Sequence, residues 1–423
     1  MQLPYLTAAL PGAGGQIKKL IDDFVVEEIP LYTPQGVGTH CYITIEKRGI
    51  STMQAVRNVA QALGRTSGDI GYAGLKDTQA VARQTFSVEH LETARARGLE
   101  MPHLRVVEIS RHRNKLKIGH LAGNKFIIKI RNDQWLKDPT LQGRALENAQ
   151  AILAALTPTG VPNFFGPQRF GMRKDNHLLG LAILQNNAVE FARRFLGDPD
   201  PSVDHGDVLV ARQQFANNHL DLALQHWPGH LREERRALAA MVRAKGNAAQ
   251  ALFAVDLPLK RLLVSAFQAF LFNEVLVARL PQLAQILPGD LCWKHDNGSV
   301  FAVEDTAEAA QKEQPRADAH EISPSGPMFG YRMTEPSGAP REMEAAVLQR
   351  QGLTPDVFAT PRAQKSKGGR RAMRFFPQDL DVTADSDTHG PYLQLHFSLP
   401  PGCFATVLLG EIMKADAPTD AAA

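Results

Sequence analysis

The chain has 423 residues, of which 44% are hydrophobic and 22% charged, a composition typical of a soluble globular protein. A single hydrophobic core stops growing at about 250–300 residues, so we expect two domains. The N-terminus lacks the basic and apolar regions of a signal peptide, and no apolar run approaches the roughly 18 residues that span a bilayer. We therefore expect a cytoplasmic protein without membrane contact.

The three cysteines, Cys41, Cys292 and Cys403, are far apart and form no C-x-x-C pair. This spacing argues against a disulfide framework and against a thiolate zinc site. His90 and Glu92 match the H-x-E half of the zinc-deaminase signature, but no P-C-x-x-C follows to supply the thiolate ligands. We therefore set the deaminase aside and expect no metal.

Positive charge is concentrated in two segments, although the net charge is only +3. Residues 105–129 carry a net charge of +6 and residues 361–374 another +6, so the remaining chain is net −9. This concentration is typical of a protein that binds a phosphate backbone. The alternative for each segment is a solvated loop with scattered basic residues. The candidate phosphate contacts in these segments are Arg111, Arg113, Lys115, Arg370 and Arg371.

The first 160 residues alternate short β-rich segments with helices. A helix is predicted to begin at Ser51 or Thr52 and to end at Gly64, and a second is expected over about 143–156. This is an α+β pattern, with a mixed sheet and helices packed on it. The predicted strands are Phe24–Glu28, Cys41–Glu46, Thr85–Glu89, Lys115–Leu121 and Phe126–Ile130.

A Gly-Tyr-Ala-Gly-Leu-Lys-Asp run begins at Gly71, ahead of the third predicted strand. Gly71 and Gly74 are expected to take positive φ and to form a tight turn that presents Lys76 and Asp77. Two interpretations are open here. Asp77 is either a functional carboxylate beside a cation or the N-cap of a helix that starts at Thr78.

The rest of the chain is predicted mainly from apolar patterning. Residues 171–255 are helical and rich in alanine, and Arg261–Leu280, without Gly or Pro, is predicted to be a buried helix of a second core. Residues 304–321 carry six acids and two bases without an aromatic residue, which predicts a mobile surface loop. A strand over Tyr392–Ser398 and a helix over about 403–414 close the fold.

Several short motifs occur in an order that resembles the TruD family of tRNA pseudouridine synthases. The resemblance extends from about Lys18 to Lys414, and the shared order of the motifs gives it its weight. The motifs are Asp23–Glu28 (DFVVEE), the Gly-Leu-Lys-Asp turn, Gly123–Phe126 (GNKF), Val161–Gly171 (VPNFFGPQRFG) and Leu399–Thr406 (LPPGCFAT).

The resemblance implies a pseudouridine synthase core built from both chain ends, residues 1–159 and 373–423. A helix-rich α/β domain specific to TruD is inserted between them, over residues 160–372. The implied activity is isomerisation of a uridine in tRNA, usually uridine 13, with no cofactor. The implied partner is tRNA, with no obligate protein partner, so we expect a monomer.

The resemblance also implies a role for Asp77 as the catalytic carboxylate. Asp77 would act either as a nucleophile or as a base that removes a sugar proton. Lys18, which aligns with a family lysine, and Lys76 would favour the charged form of Asp77. The chain departs from the family pattern at Asp22, where glutamate is usual, so that this carboxylate is one methylene shorter.

A uridine in folded RNA has to leave its stack before it reaches a carboxylate, at a cost of roughly a few kcal/mol. Stacking on an aromatic ring returns about 1–3 kcal/mol per base, and the family motifs place Phe126 and Phe404 for this role. Asn124 suits the uracil edge or a network that orients the carboxylate. Gln84 and Arg169 are expected to be supporting or phosphate contacts.

The main alternative function is a non-catalytic protein that binds or folds RNA on the same scaffold. Such a protein would tolerate loss of Asp77 or Phe126, yet both are present. The discriminating observation is whether uridine is isomerised or only bound. A structural or protein-binding module is a weaker alternative, because it leaves the two basic segments unexplained.

Overall fold

The computed structural model describes residues 3–360 and 366–415. The backbone contacts divide the chain into two compact units. Unit 1 comprises Met1–Val161 and Phe375–Ala423, and unit 2 comprises Pro162–Arg374. Unit 1 is therefore assembled from both ends of the chain, and unit 2 from the middle.

The strands have the following bounds in chain order: β1 Phe24–Pro30, β2 His40–Arg48, β3 Ile70–Tyr72, β4 Val81–Glu89, β5 Leu104–His112, β6 Leu121–Arg131, β7 Val161–Pro162, β8 Leu291–Lys294, β9 Val300–Ala302, β10 Ile322–Met328, β11 Gly369–Ala372, β12 Arg374–Phe375, β13 Gln378–Asp387 and β14 Gly390–Leu399.

The helices have the following bounds: α1 Thr52–Leu63, α2 Thr93–Arg97, α3 Thr140–Thr159, α4 Asn176–Leu184, α5 Ala188–Leu196, α6 Gly206–Ala216, α7 Leu220–His226, α8 Arg232–Arg243, α9 Ala248–Ala254, α10 Leu257–Arg279, α11 Ala307–Asp318, α12 Gly338–Arg350 and α13 Ala405–Met413.

Unit 1 contains an eight-stranded sheet in the order β13-β14-β6-β1-β4-β2-β5, with β3 paired to β4. Strands β1 and β4 are parallel, and the other neighbours are antiparallel. The predicted α+β class with a large mixed sheet is confirmed. Strand β14, from the C-terminal end of the chain, lies between β13 and the N-terminal β6.

Two apolar clusters lie on one face of this sheet. One contains residues of β1, β6 and β14 together with α3 and α13, and includes Phe126 and Ile152. The other contains residues of β2 and β4 together with α1, and includes Ile43 and Val56. Because side chains alternate across a strand, the registers of these five strands place both sets on the same face.

The ends of α1 were predicted from local signals, and both are confirmed. Ser51 is the N-cap, and its side chain accepts a hydrogen bond of 3.1 Å from the backbone nitrogen of Gln54. Gly64 ends the helix in the left-handed conformation at φ 63°, which a residue without a Cβ adopts at little cost. Local capping interactions therefore define both ends of this helix.

The strand predicted over Lys115–Leu121 is wrong, because strand structure there begins only at Leu121. The alternating sequence does not match alternating burial: Leu116 is buried in a small cluster, whereas Ile118 is 75% exposed. Gly119 has φ 93°, and its nitrogen donates to the carbonyl of Ala73, so the chain turns here. The tertiary contact to Ala73 overrides the local β pattern.

The loop predicted over residues 304–321 is also wrong, since most of it forms α11. Thr306 caps this helix by accepting a hydrogen bond from the nitrogen of Ala309 at 3.2 Å. The buried Ala310 and Ala317 pack in a cluster of unit 2. Gln314 ties the helix down, with its Oε1 accepting from the nitrogen of Ile286 at 2.9 Å. Alanines form the buried apolar face of this helix, and they are too small to stand out against the charged residues in the composition.

Unit 2 contains helices α4–α12 and a four-stranded antiparallel sheet in the order β11-β10-β8-β9. The predicted buried helix of a second core is confirmed as α10. By length and composition this helix could cross a membrane, contrary to the expectation from the sequence. However, 61% of its most apolar window is buried within the protein, as in the core helix of a globular unit.

Candidate active site

Asp77 lies in the loop between β3 and β4. No helix begins at Thr78; the chain bends over residues 78–80 and enters β4 at Val81. The helix-cap interpretation of Asp77 is therefore wrong. The Asp77 side chain is 29% exposed, and one of its carboxylate oxygens is 3.7 Å from the Nζ of Lys18. The loop thus presents a carboxylate that is paired with a cation and still reaches solvent.

The expected role of the glycines in this loop needs a correction, because neither Gly71 nor Gly74 has a positive φ. Gly71 instead allows a close approach of two chain segments. A Cβ at this position would collide with the carbonyl oxygen of Leu116 and with the Oγ of Ser87. Gly71 therefore lets the base of the loop pack against its neighbours, whereas a Cβ on Gly74 would meet open space.

The segment that carries Lys18 is held in place by a buried ion pair between Asp23 and Arg131. The side chain of Lys18 is 2% exposed, and its Nζ lies 4.5 Å from the centroid of the Phe24 ring. Arg131 fixes the segment: its guanidinium bonds to the fully buried Asp23, and its backbone pairs with that of Gln16. The backbone of Lys18 has φ 58°, an uncommon conformation for a residue with a Cβ, and such residues cluster at functional sites.

The shortened carboxylate at Asp22 still reaches a partner. Its two oxygens lie 2.6 and 2.7 Å from the guanidinium of Arg48. Both side chains are largely exposed, at 65% for Asp22 and 45% for Arg48. An exposed pair of this kind contributes roughly 0–1 kcal/mol, so the departure from the family pattern has a small energetic consequence.

Lys76 forms its ion pair with Glu28, at 3.1 Å. Both side chains are at most 5% exposed, and the same ammonium donates to the Oδ1 of Asn124. Asn124 and Glu28 are direct neighbours in the register of β6 and β1. We expected Lys76 to stabilise the charge of Asp77. Lys76 instead forms a buried polar cluster with Glu28 and Asn124.

A row of polar side chains runs across one face of the sheet, where its two apolar clusters meet. Glu28 and Asn124 lie on the same face as Val26 and Phe126, since side chains alternate along each strand. Gln84 on β4 is 1% exposed and belongs to the same face. A polar row inside an apolar face is costly to bury unless each group is paired, which indicates a functional site.

Three side chains hold the backbone of the Asp77 loop. The Nε2 of Gln84 donates to the carbonyl of Gly74 at 3.4 Å. The hydroxyl of Thr52 accepts from the nitrogen of Lys76 at 2.9 Å and donates to Gln84 at 2.9 Å. The Nζ of Lys47 donates to the carbonyl of Asp77 at 2.6 Å. The backbone of the loop is therefore fixed at three residues, by side chains from β2, α1 and β4.

Lys47 was missed by the sequence analysis, although a signal existed. Lys47 is fully buried, and its ammonium also donates to the carbonyl of Ile50 at 2.6 Å. In β2 it follows Ile43 and Ile45 at alternate positions, on the face that packs against α1. A lysine that continues the apolar stripe of a strand is expected to be buried, and a buried lysine requires partners.

The two aromatic candidates differ in exposure. Phe126 is 7% exposed and belongs to the larger apolar cluster, stacked on Phe397 at a centroid distance of 5.2 Å. It also meets the edge of Phe24 at 6.1 Å. Phe404 is half-buried and is the N-cap residue of α13. The stacking roles of both rings stay predictions, and the surroundings of Phe126 show that it also stabilises the core.

We expect Phe126→Ala to lower the free energy of unfolding by roughly 3–5 kcal/mol, as is typical for removal of a buried phenylalanine. Phe126→Leu keeps much of the apolar volume and should lose less stability. Thermal melting and turnover measured on the same preparations check this. An unchanged melting temperature in Phe126→Ala would show that the ring does not stabilise the core.

The basic residues of the first positive segment lie in and beyond the edge strand β5. Arg111 donates to the carbonyls of Leu91 and Gly38, and Lys115 donates to the carbonyl of Gly68. Arg113 is exposed. These contacts are to neutral carbonyl groups and not to buried carboxylates, so all three residues remain candidates for phosphate contact.

Two basic candidates of unit 2 lie against the ring of Phe165. The guanidinium carbon of Arg371 is 4.2 Å from its centroid, and that of Arg169 is 5.8 Å away. Arg371 also bonds to Asn163, and Arg169 to the hydroxyl of Ser265. Burial lowers the pKa of Arg169. Both side chains are thus held largely by contacts within unit 2.

Arg370 is in a different environment from the one expected of a phosphate contact. Its side chain is 4% exposed and forms a two-pronged pair with Glu344, at 2.7 and 3.0 Å. Burial raises the pKa of Glu344, against the opposing effect of Arg370. Since this guanidinium already neutralises a buried carboxylate, the predicted phosphate contact is withdrawn. Two further basic residues of the segment, Arg362 and Lys365, lie outside the described residues.

The remaining groups suited to metal binding are dispersed. Within residues 3–360 and 366–415, no three His, Cys, Asp or Glu side chains form a group that could hold a metal ion. Cys41 and Cys292 are buried, and burial raises the pKa of both thiols. These thiols are therefore packing residues in the protonated form.

Comparison with known proteins shows the family of this chain. The family model for tRNA pseudouridine synthase D (TruD) matches residues 1–412. A tRNA pseudouridine synthase D from Geobacter metallireducens is 42% identical over 414 residues, which cover 98% of each chain. One from Anaeromyxobacter sp. is 36% identical and covers 98% of this chain and 97% of its own.

The fold leads to the same family. The crystal structure of a Methanosarcina mazei protein assigned to tRNA pseudouridine synthase D (TruD) superimposes with a TM-score of 0.80 at 26% identity. The match covers 98% of this chain and 99% of the other. The chain therefore belongs to the TruD family of tRNA pseudouridine synthases, which are isomerases.

Proposed function

We propose that this chain converts a uridine of tRNA into pseudouridine and that Asp77 supplies the catalytic carboxylate. One observation carries this proposal: the Asp77 carboxylate is 29% exposed, 3.7 Å from an ammonium that is almost fully buried. Partial exposure lets a nucleotide reach the carboxylate. A nearby cation in a medium of reduced dielectric constant favours the ionised form that the reaction needs.

The chemistry requires no change in oxidation state. The N1–C1′ bond breaks, the uracil turns, and a C5–C1′ bond forms; C5 loses a proton and N1 gains one. An ionised carboxylate can attack C1′ as a nucleophile or remove a proton from the sugar as a base. Both routes use Asp77 in the charged form, so both depend on Lys18 in the same way.

The three anchors of the Asp77 loop support a catalytic role, because they fix the main chain that carries the carboxylate. Gln84, Thr52 and Lys47 bind backbone atoms of Gly74, Lys76 and Asp77, respectively. Reacting groups need to be held near the geometry of attack, and a loop fixed from three elements meets this demand.

Asn124 is suited to recognise the uracil. Its Oδ1 accepts from Lys76, so its Nδ2 group is oriented to donate to a uracil carbonyl. Glu28 holds the ammonium of Lys76 and thereby sets the orientation of the amide. Phe404, half-buried at the start of α13, is the ring that a flipped base can reach for stacking.

The two units correspond to two roles in this proposal. Unit 1 is the pseudouridine synthase core, because it holds Asp77 and the polar row around Asn124. Unit 2 is the inserted TruD-specific domain. We further propose that the target is uridine 13 of tRNA, in the cytoplasm, and that the chain acts as a monomer.

Tritium release from a tRNA transcript labelled at uracil C5 tests the proposal, because forming the C5–C1′ bond expels that hydrogen by either route. We expect about one equivalent of tritium per tRNA. A transcript with cytidine at position 13 should release none. Equal release from both transcripts would rule out uridine 13 as the target. Binding without release from either would favour the RNA-binding alternative over the enzyme.

A further inference from the structure

We propose that unit 2 carries a second tRNA contact, the Tyr331 patch, formed by Tyr331, Arg332 and Lys367. In this patch the two cations bind backbone phosphates and the tyrosine ring stacks on an unpaired base. The inference rests on the proposed function, since it takes tRNA as the ligand. In the same basic segment, Arg370 is buried against Glu344, whereas Lys367 is exposed.

Two distant stretches of chain form the patch by extending the pairing of β10 and β11. The nitrogen of Tyr331 donates to the carbonyl of Ser366 at 3.2 Å, and that of Arg332 donates to the carbonyl of Lys367 at 2.9 Å. Gly330 and Gly368 cross so closely that a Cβ on Gly330 would collide with the backbone of Gly368. Glycine at position 330 therefore keeps the two stretches together.

The base of the patch is fixed in the core of unit 2. Phe329, next to Gly330, is 4% exposed and stacks on the buried Phe358 at a centroid distance of 6.0 Å. The carbonyl of Phe329 accepts a hydrogen bond from the side chain of the buried Gln268 in α10. A patch anchored in this way loses little conformational entropy when it binds a ligand.

The cations of the patch are not neutralised by the protein. Arg332 and Lys367 are exposed, and within the described part of the chain neither has a carboxylate partner. Two acids of the neighbouring stretch already bind other arginines: Glu335 pairs with Arg341, and Glu344 pairs with Arg370. The patch therefore presents uncompensated positive charge, which favours a polyanionic ligand.

The tyrosine identifies RNA as the kind of polyanion. The Tyr331 ring is 41% exposed, and the guanidinium carbon of Arg332 lies 5.5 Å from its centroid. An exposed ring beside a cation is the arrangement with which proteins bind single-stranded nucleic acid, since base and phosphate of one nucleotide are contacted together.

The test measures binding of a tRNA transcript over a series of salt concentrations. For the double variant Arg332→Gln, Lys367→Gln we expect weaker binding and a salt slope reduced by about one to two units, since each phosphate contact contributes roughly 0.7–0.9. KM for tRNA should rise more than kcat falls. Tyr331→Ala should weaken binding by about fivefold or more at an unchanged salt slope, and Tyr331→Phe should bind normally.

A matched control removes two exposed charges elsewhere on unit 2, in the double variant Lys312→Gln, Arg350→Gln. This control should bind tRNA with the salt slope of the wild type. If the patch variant binds as the control does, the inference is overturned while the proposed function stands. If the wild type releases no tritium, the proposed function fails, and the difference in salt slope between patch and control variants still decides whether the patch contacts RNA.

Discussion

Asp77→Asn is expected to reduce tritium release from tRNA below detection while tRNA binding is retained. The substitution preserves the shape of the side chain and removes its charge, its nucleophilicity and its capacity as a base. The loop should keep its structure, because Lys47, Thr52 and Gln84 bind its main chain, which the substitution leaves unchanged. The melting temperature should therefore change little, and the loss should appear in turnover alone.

Asp22→Asn is the matched control, since it makes the same chemical change in an exposed carboxylate of unit 1. Its pair with Arg48 contributes little, so tritium release should match that of the wild type. An active Asp77→Asn would contradict the catalytic assignment. A variant that loses tRNA binding together with turnover would show that Asp77 acts in binding or folding.

Lys47→Met should lower kcat by about a hundredfold, which is typical when a reacting group is displaced by about 1 Å. The substitution removes the donor that holds the carbonyl of Asp77 and leaves a side chain of similar length.

Lys47→Met should also be less stable, because two carbonyls lose their donor at a cost of roughly 1–3 kcal/mol each. Turnover is therefore measured well below the melting temperature of the variant. Lys19→Met, which disrupts an exposed pair with Asp133, is the control that should retain both properties. A variant with lowered stability but a normal kcat would assign Lys47 to the fold alone.

Elements with strong local signals were predictable from the sequence, whereas elements defined by their neighbours were not. Ser51 and Gly64 fix the ends of α1 through capping. In contrast, β5 and β13 form the two ends of the sheet order and are mostly polar or half-exposed. An edge strand with little buried surface has no apolar alternation, so its pairing is decided by β2 or β14 and not by its own sequence.

The candidate site was predictable in its central residue and not in its surroundings. Asp77 and Lys18 follow from family motifs. The pairing of Lys76 with Glu28 depends on the register of β1 against β6, which no local pattern reveals. The basic composition of the second segment likewise does not show which arginines are available to a ligand. Arg370 neutralises a buried glutamate. Arg332 lies outside the basic segment and is brought next to it by backbone pairing.

The construction of unit 1 from both chain ends constrains how the protein is made. Strand β14 pairs with β6, and Arg131 contacts Gly390 across 259 residues of sequence. At a synthesis rate of about 5–20 residues per second, β6 waits on the order of ten to fifty seconds for this neighbour. Unit 2 is synthesised during that time, while the edge of β6 and the apolar residues beneath it are uncovered. The nascent chain thus passes through a prolonged aggregation-prone stage, which ends when β14 is available to pair with β6.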